Sequence, residues 1–327
     1  MKIERYSKLL WGVALFYTIF ACSQQEDVKM EGGIGGPGGE WVPIDVEAGI
    51  DIGTQTRVAT ISNGSIGVYR TFPINGSSAQ YNVKYTNAGS GWVAADTNNK
   101  ILVGSESATL YAYYDPAGTA VAATNSTIVT IPQTAVAFNA AAPKAFFYAT
   151  APVSPVDNKN RVASFSMKPA QCMLTLNITR HAEYVNGNCC VSVVEMKTAN
   201  NTNFNATTQV DISKAMNTQA TTAVVGNFLY NVAADDAVFS GMNASTTKSL
   251  SILLPQHTTS VKRKLFLTID GTVRSVEIAS TGLYNAGMNY SVNLIIKDAA
   301  IIVNGNITVA DYGTSITGTP AVPDQAI

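Results

Sequence analysis

The chain has 327 residues, 46% of them hydrophobic and only 13% charged, with a formal net charge of -1. That length allows two domains of the common ~100–200 residues each, and the apolar fraction is enough for a sizeable core, which speaks against a disordered chain. The even balance of 21 basic and 22 acidic residues, with no basic stripe, argues against nucleic acid as a partner.

Residues 1–21 read as an export signal. Lys2, Arg5 and Lys8 make a positive start, and Leu9 to Phe20 is an unbroken run of twelve residues without charge. The run is shorter than the ~20 residues that span a bilayer and suits a secretory segment. Ile19-Phe20-Ala21-Cys22 resembles a bacterial lipobox, in which Cys22 receives lipid, although Phe20 is bulky for its place. The alternative is an ordinary signal cut near Ala21, with Cys22 incidental. One acyl chain anchors poorly, and a triacylated Cys22 would supply the extra chains that stable attachment needs. Residues 22–40 then form a tether, polar at Ser23–Asp27 and glycine-rich over Gly32–Gly39. Its flexible composition gives a reach of roughly 25 Å.

A strongly alternating strand follows. Val42, Ile44, Val46, Ala48, Ile50 and Ile52 occupy the even positions, and Pro43, Asp45, Glu47, Gly49 and Asp51 the odd ones. A period of two puts one face in a core and the other in water. The strand hangs on a leader and is followed by an exposed connection ending at Arg57. It reads as a removable part, with a permanent first strand and a solvated Arg57 as the alternative.

Short strands and turns continue to the end, with no convincing helix. The first half offers Ser65–Phe72, Gln80–Thr86, Lys100–Val103, Ala108–Tyr114, Thr127–Ile131 and Lys144–Thr150. Trp92, Tyr111, Tyr113 and Phe147 belong to its core or rim. The proline-broken, polar stretch Ala151–Asn160 marks the domain boundary, giving 41–157 and 158–327. Beyond it come Val162–Met167, Cys172–Arg180 and Cys190–Lys197, then an Asn/Thr-rich loop over Ala199–Gln209. Asn227–Val232 and Leu250–Leu254 follow. Asp270-Gly271 between Lys264–Ile269 and Thr272–Ala279 is a two-residue hairpin turn. Tyr290–Lys297, Ile301–Val303 and Ile307–Tyr312 close the series. Many short strands with Gly/Asn/Pro turns indicate β-sandwiches, and two fit the length.

No catalytic constellation stands out. His181 and His257 sit at strand ends without a nucleophile-elbow serine or metal-ligand spacing. Gly32–Gly39 lacks the Lys-Ser/Thr of a phosphate loop, and Asp157–Asn160 lacks the glycine and glutamate of a calcium loop. The expectation is a non-enzyme without metal or cofactor. Cys172, Cys189 and Cys190 are odd in number. If Cys172–Arg180 and Cys189–Lys197 are arms of one hairpin, Cys172 stands about 25 Å from Cys189, beyond disulfide reach. Adjacent Cys189 and Cys190 point to opposite faces of a strand, and all three read as mostly buried fillers.

Several segments in order resemble the fimbrillins, the type V pilus subunits of anaerobic Gram-negative bacteria. They are the lipobox with its acidic follow-on, Thr56-Arg57, Ile66-Gly67-Val68-Tyr69, the strand from Leu110 to Pro116, and Leu283–Tyr290 before an alternating strand. The resemblance implies an all-β fold of two transthyretin-like β-sandwich domains in tandem. It implies export as a lipoprotein to the outer membrane, and assembly with other pilus subunits by strand exchange in support of adhesion to a host or bacterial receptor. An arginine-specific cut would fall after Arg57, with Arg70 the lesser candidate because it lies inside a strand. The donor strand would be 301–316 of a neighbour. Thr319–Ile327 is proline-broken and a poor donor, which leaves tip and anchor positions open. The alternative is a surface lipoprotein that binds glycans through aromatics such as Trp92 or Tyr114 and does not polymerise.

Overall fold

A computed structural model describes residues 41–51, 58–71, 78–131, 144–198, 204–214, 224–226, 228–231, 247–255, 263–278 and 285–311. The signal segment, Cys22, the tether, Ile52, Arg57 and His257 lie outside these residues. The chain partitions into two units, Met1–Gly38 and Gly39–Ile327, and everything described below belongs to the second.

Among the described residues the fold is all-β, with no helix. The strands of the first half are β1 (Val42–Pro43), β2 (Asp45–Asp51), β3 (Val58–Thr60), β4 (Asn63–Arg70), β5 (Gln80–Ala88), β6 (Trp92–Ala94), β7 (Leu102–Val103), β8 (Leu110–Tyr114), β9 (Val121–Ala122), β10 (Ile128–Ile131), β11 (Phe147–Ala149) and β12 (Val162–Pro169). Those of the second are β13 (Gln171–Arg180), β14 (Val191–Thr198), β15 (Phe204–Asp211), β16 (Val224–Gly226), β17 (Phe228–Asn231), β18 (Thr247–Pro255), β19 (Arg263–Ile269), β20 (Thr272–Ile278), β21 (Met288–Ile296), β22 (Ile301–Val303) and β23 (Thr308–Asp311).

The first core belongs to an eight-stranded sheet in the order β3-β2-β12-β11-β8-β4-β5-β6. Its inner face carries Ile44, Val46, Ala48, Ile50, Ile66, Val68, Tyr85, Phe147 and Phe165. Over part of the sheet the other face is covered too. A four-stranded sheet, β16-β15-β10-β9, brings Val129, Ile131, Val210 and Ile212 against Tyr69, Phe146 and Tyr148. Double coverage explains why Ile66 to Arg70 is buried without interruption, as strands buried on both faces are near-continuously apolar. The boundary expected at 157/158 precedes β12, which hydrogen-bonds to β2 and β11; the chain changes sheet one strand later, at Ala170.

The second core is a sandwich. The sheet β18-β13-β21-β22, with β23 also on β21, faces the sheet β17-β14-β19-β20. Alternate residues of β13 (Cys172, Leu174, Leu176, Ile178) and β21 (Tyr290, Val292, Leu294, Ile296) meet Val194, Met196, Leu265, Leu267 and Ile269. From the opposite face of β13 and β18, Met173 and Leu253 enter the first core instead. Farther along, that face becomes a polar ladder. Thr175 Oγ1 donates to Asn289 Oδ1 at 3.0 Å, Ser249 Oγ to Asn177 Oδ1 at 2.8 Å, and Asn177 Nδ2 to Asn293 Oδ1 at 3.0 Å. Neutral side chains bonded across strands stand where charges are usual, and such pairs stabilise a sheet by roughly 0.2–1 kcal/mol each.

Three expectations are corrected here. Ala199–Gln209 is not a loop throughout, because β15 starts at Phe204 and pairs antiparallel with β10 over Ile128–Ile131. Its Asn/Thr-rich sequence hides the strand, which is fixed at its end by buried Val210 and Ile212 and by a partner far away in the chain. Next, β13 and β14 are not arms of one hairpin but lie in facing sheets, since β13 takes β18 and β21 as neighbours and β14 takes β17 and β19. Finally, Cys189 and Cys190 precede β14 rather than lying in a strand, and Cys189 has φ 56°. The Cys172 and Cys189 side chains are buried, whereas Cys190 is half-exposed.

The turn between β19 and β20 is as the sequence predicts. Asp270 and Gly271 both take positive φ, 47° and 77°. The Asp270 side chain has a second task. Its carboxylate accepts from the Cys189 and Cys190 amides at 2.9 and 2.8 Å and from the Tyr184 hydroxyl, pinning the crossing from β13 to β14. Asp298 accepts from the amides of Val185 and Asn186 and holds the same crossing from the other side.

Candidate functional site: the first strand and its seat

The alternating run beginning at Val42 is two strands with different partners. β1 pairs antiparallel with β7, matching Val42 with Val103. At Ile44 the chain crosses over, Ile44 N donating to Ile101 O and Asp45 N to Arg161 O, both at 3.0 Å. From there β2 runs parallel to β12, Asp45 opposite Val162 through Ile50 opposite Met167. The predicted inward face is observed: Ile44, Val46, Ala48 and Ile50 are each 7% exposed or less, and Val42 packs half-buried beside them. The sixth position, Ile52, is outside the described residues.

The outward face of β2 matches that of β12. Glu47 accepts from Ser164 Oγ at 2.6 Å, Asp51 pairs with Lys168 at 3.6 Å, and Asp45 meets Arg161 at 4.0 Å. These contacts are solvated and contribute little individually. What holds β2 is its apolar face. Three large side chains at about 1.5–3 kcal/mol each, plus Ala48, give roughly 5–10 kcal/mol.

Arg70, the lesser cleavage candidate, closes β4 and is 2% exposed. Its Nη1 donates to Leu102 O at 2.6 Å and its Nη2 to Ser78 O at 2.8 Å. The guanidinium lies 5.0 Å from the centre of the Trp41 ring, and that ring also rests on Gly104. Arg70 thus ties β4 to β7 and clasps the residue from which β1 departs. Burial lowers the guanidinium below its ordinary pKa. The sequence offered one sign of this clasp, a tryptophan directly before the alternating run.

Elsewhere the expected residues are dispersed. His181 follows the last residue of β13, and its Nδ1 accepts from the Glu183 amide at 3.2 Å. Among the described residues no group of three His, Cys, Asp or Glu is arranged to hold a metal ion. No described helix is long and apolar enough to cross a membrane. The donor segment 301–316 begins with β22 and β23, and both hydrogen-bond to β21 of their own chain; 312–316 lie outside the described residues.

The fold is similar to that of a candidate cell adhesion protein from Bacteroides ovatus ATCC 8483, with a TM-score of 0.57 at 14% identity, covering 84% of this chain and 98% of that one. A candidate cell adhesion protein from Bacteroides uniformis ATCC 8492 gives 0.52 at 15% identity, covering 82% and 97%. At such identities the likeness is one of fold. No curated protein matches the sequence significantly. The family model described as fimbrillin-like matches residues 56–311, starting one residue before Arg57 and ending with β23. A match over that much of the chain places it among structural proteins rather than enzymes, and the chain belongs to the fimbrillin-like family.

Proposed function

We propose that this protein is a structural subunit of a surface fimbria, exported as a lipoprotein on Cys22 and assembled with other subunits by strand exchange at the outer membrane in support of adhesion. The observation that carries this reading is the seat of the first strand. β2 enters from the leader side, buries one whole face in the first core, and has β12 as a parallel neighbour that would be left open without it. An open edge of this kind recruits a strand from another chain. Arg57 is the cut site in this reading, since Arg70 is buried and engaged through both terminal nitrogens.

A terminal position, tip or anchor, is favoured by one further observation. β22 and β23, the start of the segment to be donated, are already paired with β21, so donation would break this chain's own sheet. An anchor would keep both its lipid and its first strand.

Terminal-peptide mass spectrometry on surface material, together with trimming of the full chain by an arginine-specific protease, tests both. A mature end at Val58 and SDS-resistant ladders after trimming are expected of a polymerising subunit. A lipidated Cys22 as the sole mature end, with no ladders, would leave the anchor position. An end at Thr71 would overturn the choice of Arg57.

A further inference from the structure

Among the described residues Arg161 is the only exposed arginine. Arg70 and Arg263 are buried, Arg180 donates to Tyr184 O, and Arg274 Nη1 donates to Lys297 O. Arg161 stands between a turn and β12. The turn is closed by its own short contacts: Asp157 N donates to Asn160 O, and Asp157 Oδ1 accepts from the amides of Lys159 and Asn160. An exposed polar turn of this kind is where folded chains are nicked.

The bond after Arg161 is nevertheless held, and β2 holds it. Asp45 N donates to Arg161 O at 3.0 Å, so the carbonyl of that bond accepts from the first strand. The Asp45 carboxylate meets the Arg161 guanidinium at 4.0 Å. From Val162 to Met167, β2 is the only strand paired with β12 among the described residues. On the other side β11 reaches only Lys168 and Pro169, and Val153 N donates to Ser164 O at 2.7 Å. An endoprotease takes its substrate as an extended segment with the backbone free on both sides of the bond. Proteolysis of a folded chain therefore follows the population of a locally opened form. With β2 gone, the start of β12 loses its ladder, and Ala163, Phe165 and Met167 lose their neighbours Val46, Ala48 and Ile50.

We propose that Arg161–Val162 is a second site for an arginine-specific endoprotease, guarded by whichever strand occupies the seat of β2. Water adds across the amide: the C–N bond breaks, leaving a carboxylate on Arg161 and an amino group on Val162. The use of this site rests on the strand exchange proposed above. A subunit that has shed its first strand and received no donor is open to the second cut, and a filled seat is spared. The cut leaves β12 as the one strand of the eight-stranded sheet still joined through the backbone to the second core. Subunits with an empty seat are thereby removed from assembly.

The test follows new N-termini by mass spectrometry while the full chain is digested with an arginine-specific protease. In an Arg57→Lys chain, which cannot be trimmed at residue 57, the Val162 end should form at least tenfold more slowly than in the wild type. Adding Ile50→Ala to that chain loosens β2, and should speed the Val162 end at least tenfold over the matched addition of Val68→Ala. In the trimmed wild type, an excess of a synthetic peptide of residues 42–52 should suppress the second cut. Arg161→Lys should abolish the Val162 end and leave the Val58 end. Equal rates in the Ile50→Ala and Val68→Ala chains, no Val162 end in either the trimmed wild type or the Ile50→Ala chain, or indifference to the peptide would overturn the proposal. The Arg57→Lys comparisons need no cut at Arg57, so a missing Val58 end overturns the strand-exchange reading and not the guard.

Discussion

Ile50→Ala separates the hold on β2 from the stability of the rest of the molecule. Ile50 is 3% exposed, contacts the first core, and sits opposite Met167 of β12. Truncating a buried isoleucine to alanine costs about 2–5 kcal/mol. At tenfold per 1.4 kcal/mol, release of β2 then becomes easier by roughly 30-fold to several thousand-fold. The matched control is Val68→Ala, in the same core but on β4, at 0% exposure. Chemical denaturation should show loss of stability in both variants. After trimming with an arginine-specific protease, only Ile50→Ala should release the first strand faster, scored by mass spectrometry of the freed peptide and by the rate of ladder formation. Equal release rates in the two variants would refute the claim that burial of this one face holds the strand.

Three further outcomes follow from the second core. In Gly187→Ala the new methyl group would fall on the Asp270 carboxylate; displacing that acceptor from its donors should cost about 1–3 kcal/mol, read as a lowered Tm. Burial raises the Asp270 pKa, but the hydrogen bonds from Tyr184 and the Cys190 and Cys189 amides outweigh it, so the carboxyl lies below its ordinary value. A carboxyl lowered on folding stabilises the fold above its unfolded pKa of about 3.9 and loses that contribution as pH falls through the folded value; Tm should therefore drop below pH ~4, and less steeply in Asp270→Asn. Burial pushes the Cys172 thiol up to about 12 and the Cys189 thiol up to about 11, so of Cys172, Cys189 and Cys190 only the half-exposed Cys190 should react with a thiol reagent before denaturation.

Local signals in the sequence carried much of this architecture. Alternation at Val42–Ile50 marks a core face whether or not its partner is known, and Asp270-Gly271 needs no distant information to make its turn. The sequence is silent where structure depends on remote partners. Nothing near Ile44 says that the run changes neighbour from β7 to β12, and nothing near Phe204 says that β10 waits for it. The hairpin expected between β13 and β14 failed for the same reason: adjacency in the chain suggested pairing, while their apolar faces were better buried against each other across a sandwich. The polar reach of Asp270 to the Cys189 turn and of Asn87 to Ile61 was equally hidden, because an aspartate or asparagine in a turn reads as a local feature.

The parallel pairings have a mechanical consequence. In the first core the incoming strand β2 lies beside the outgoing strand β12, pointing the same way; in the second, β13 and β21 repeat the arrangement over eight matched positions, Met173 to Arg180. Tension along the chain draws the members of each pair in opposite directions along their shared axis. All the hydrogen bonds between them are then loaded together in shear, whereas a hairpin pulled at its open end unzips one bond at a time. Once β22 and β23 have peeled away, both cores resist stretching through their longest parallel contacts, a geometry suited to a chain that bears load lengthwise.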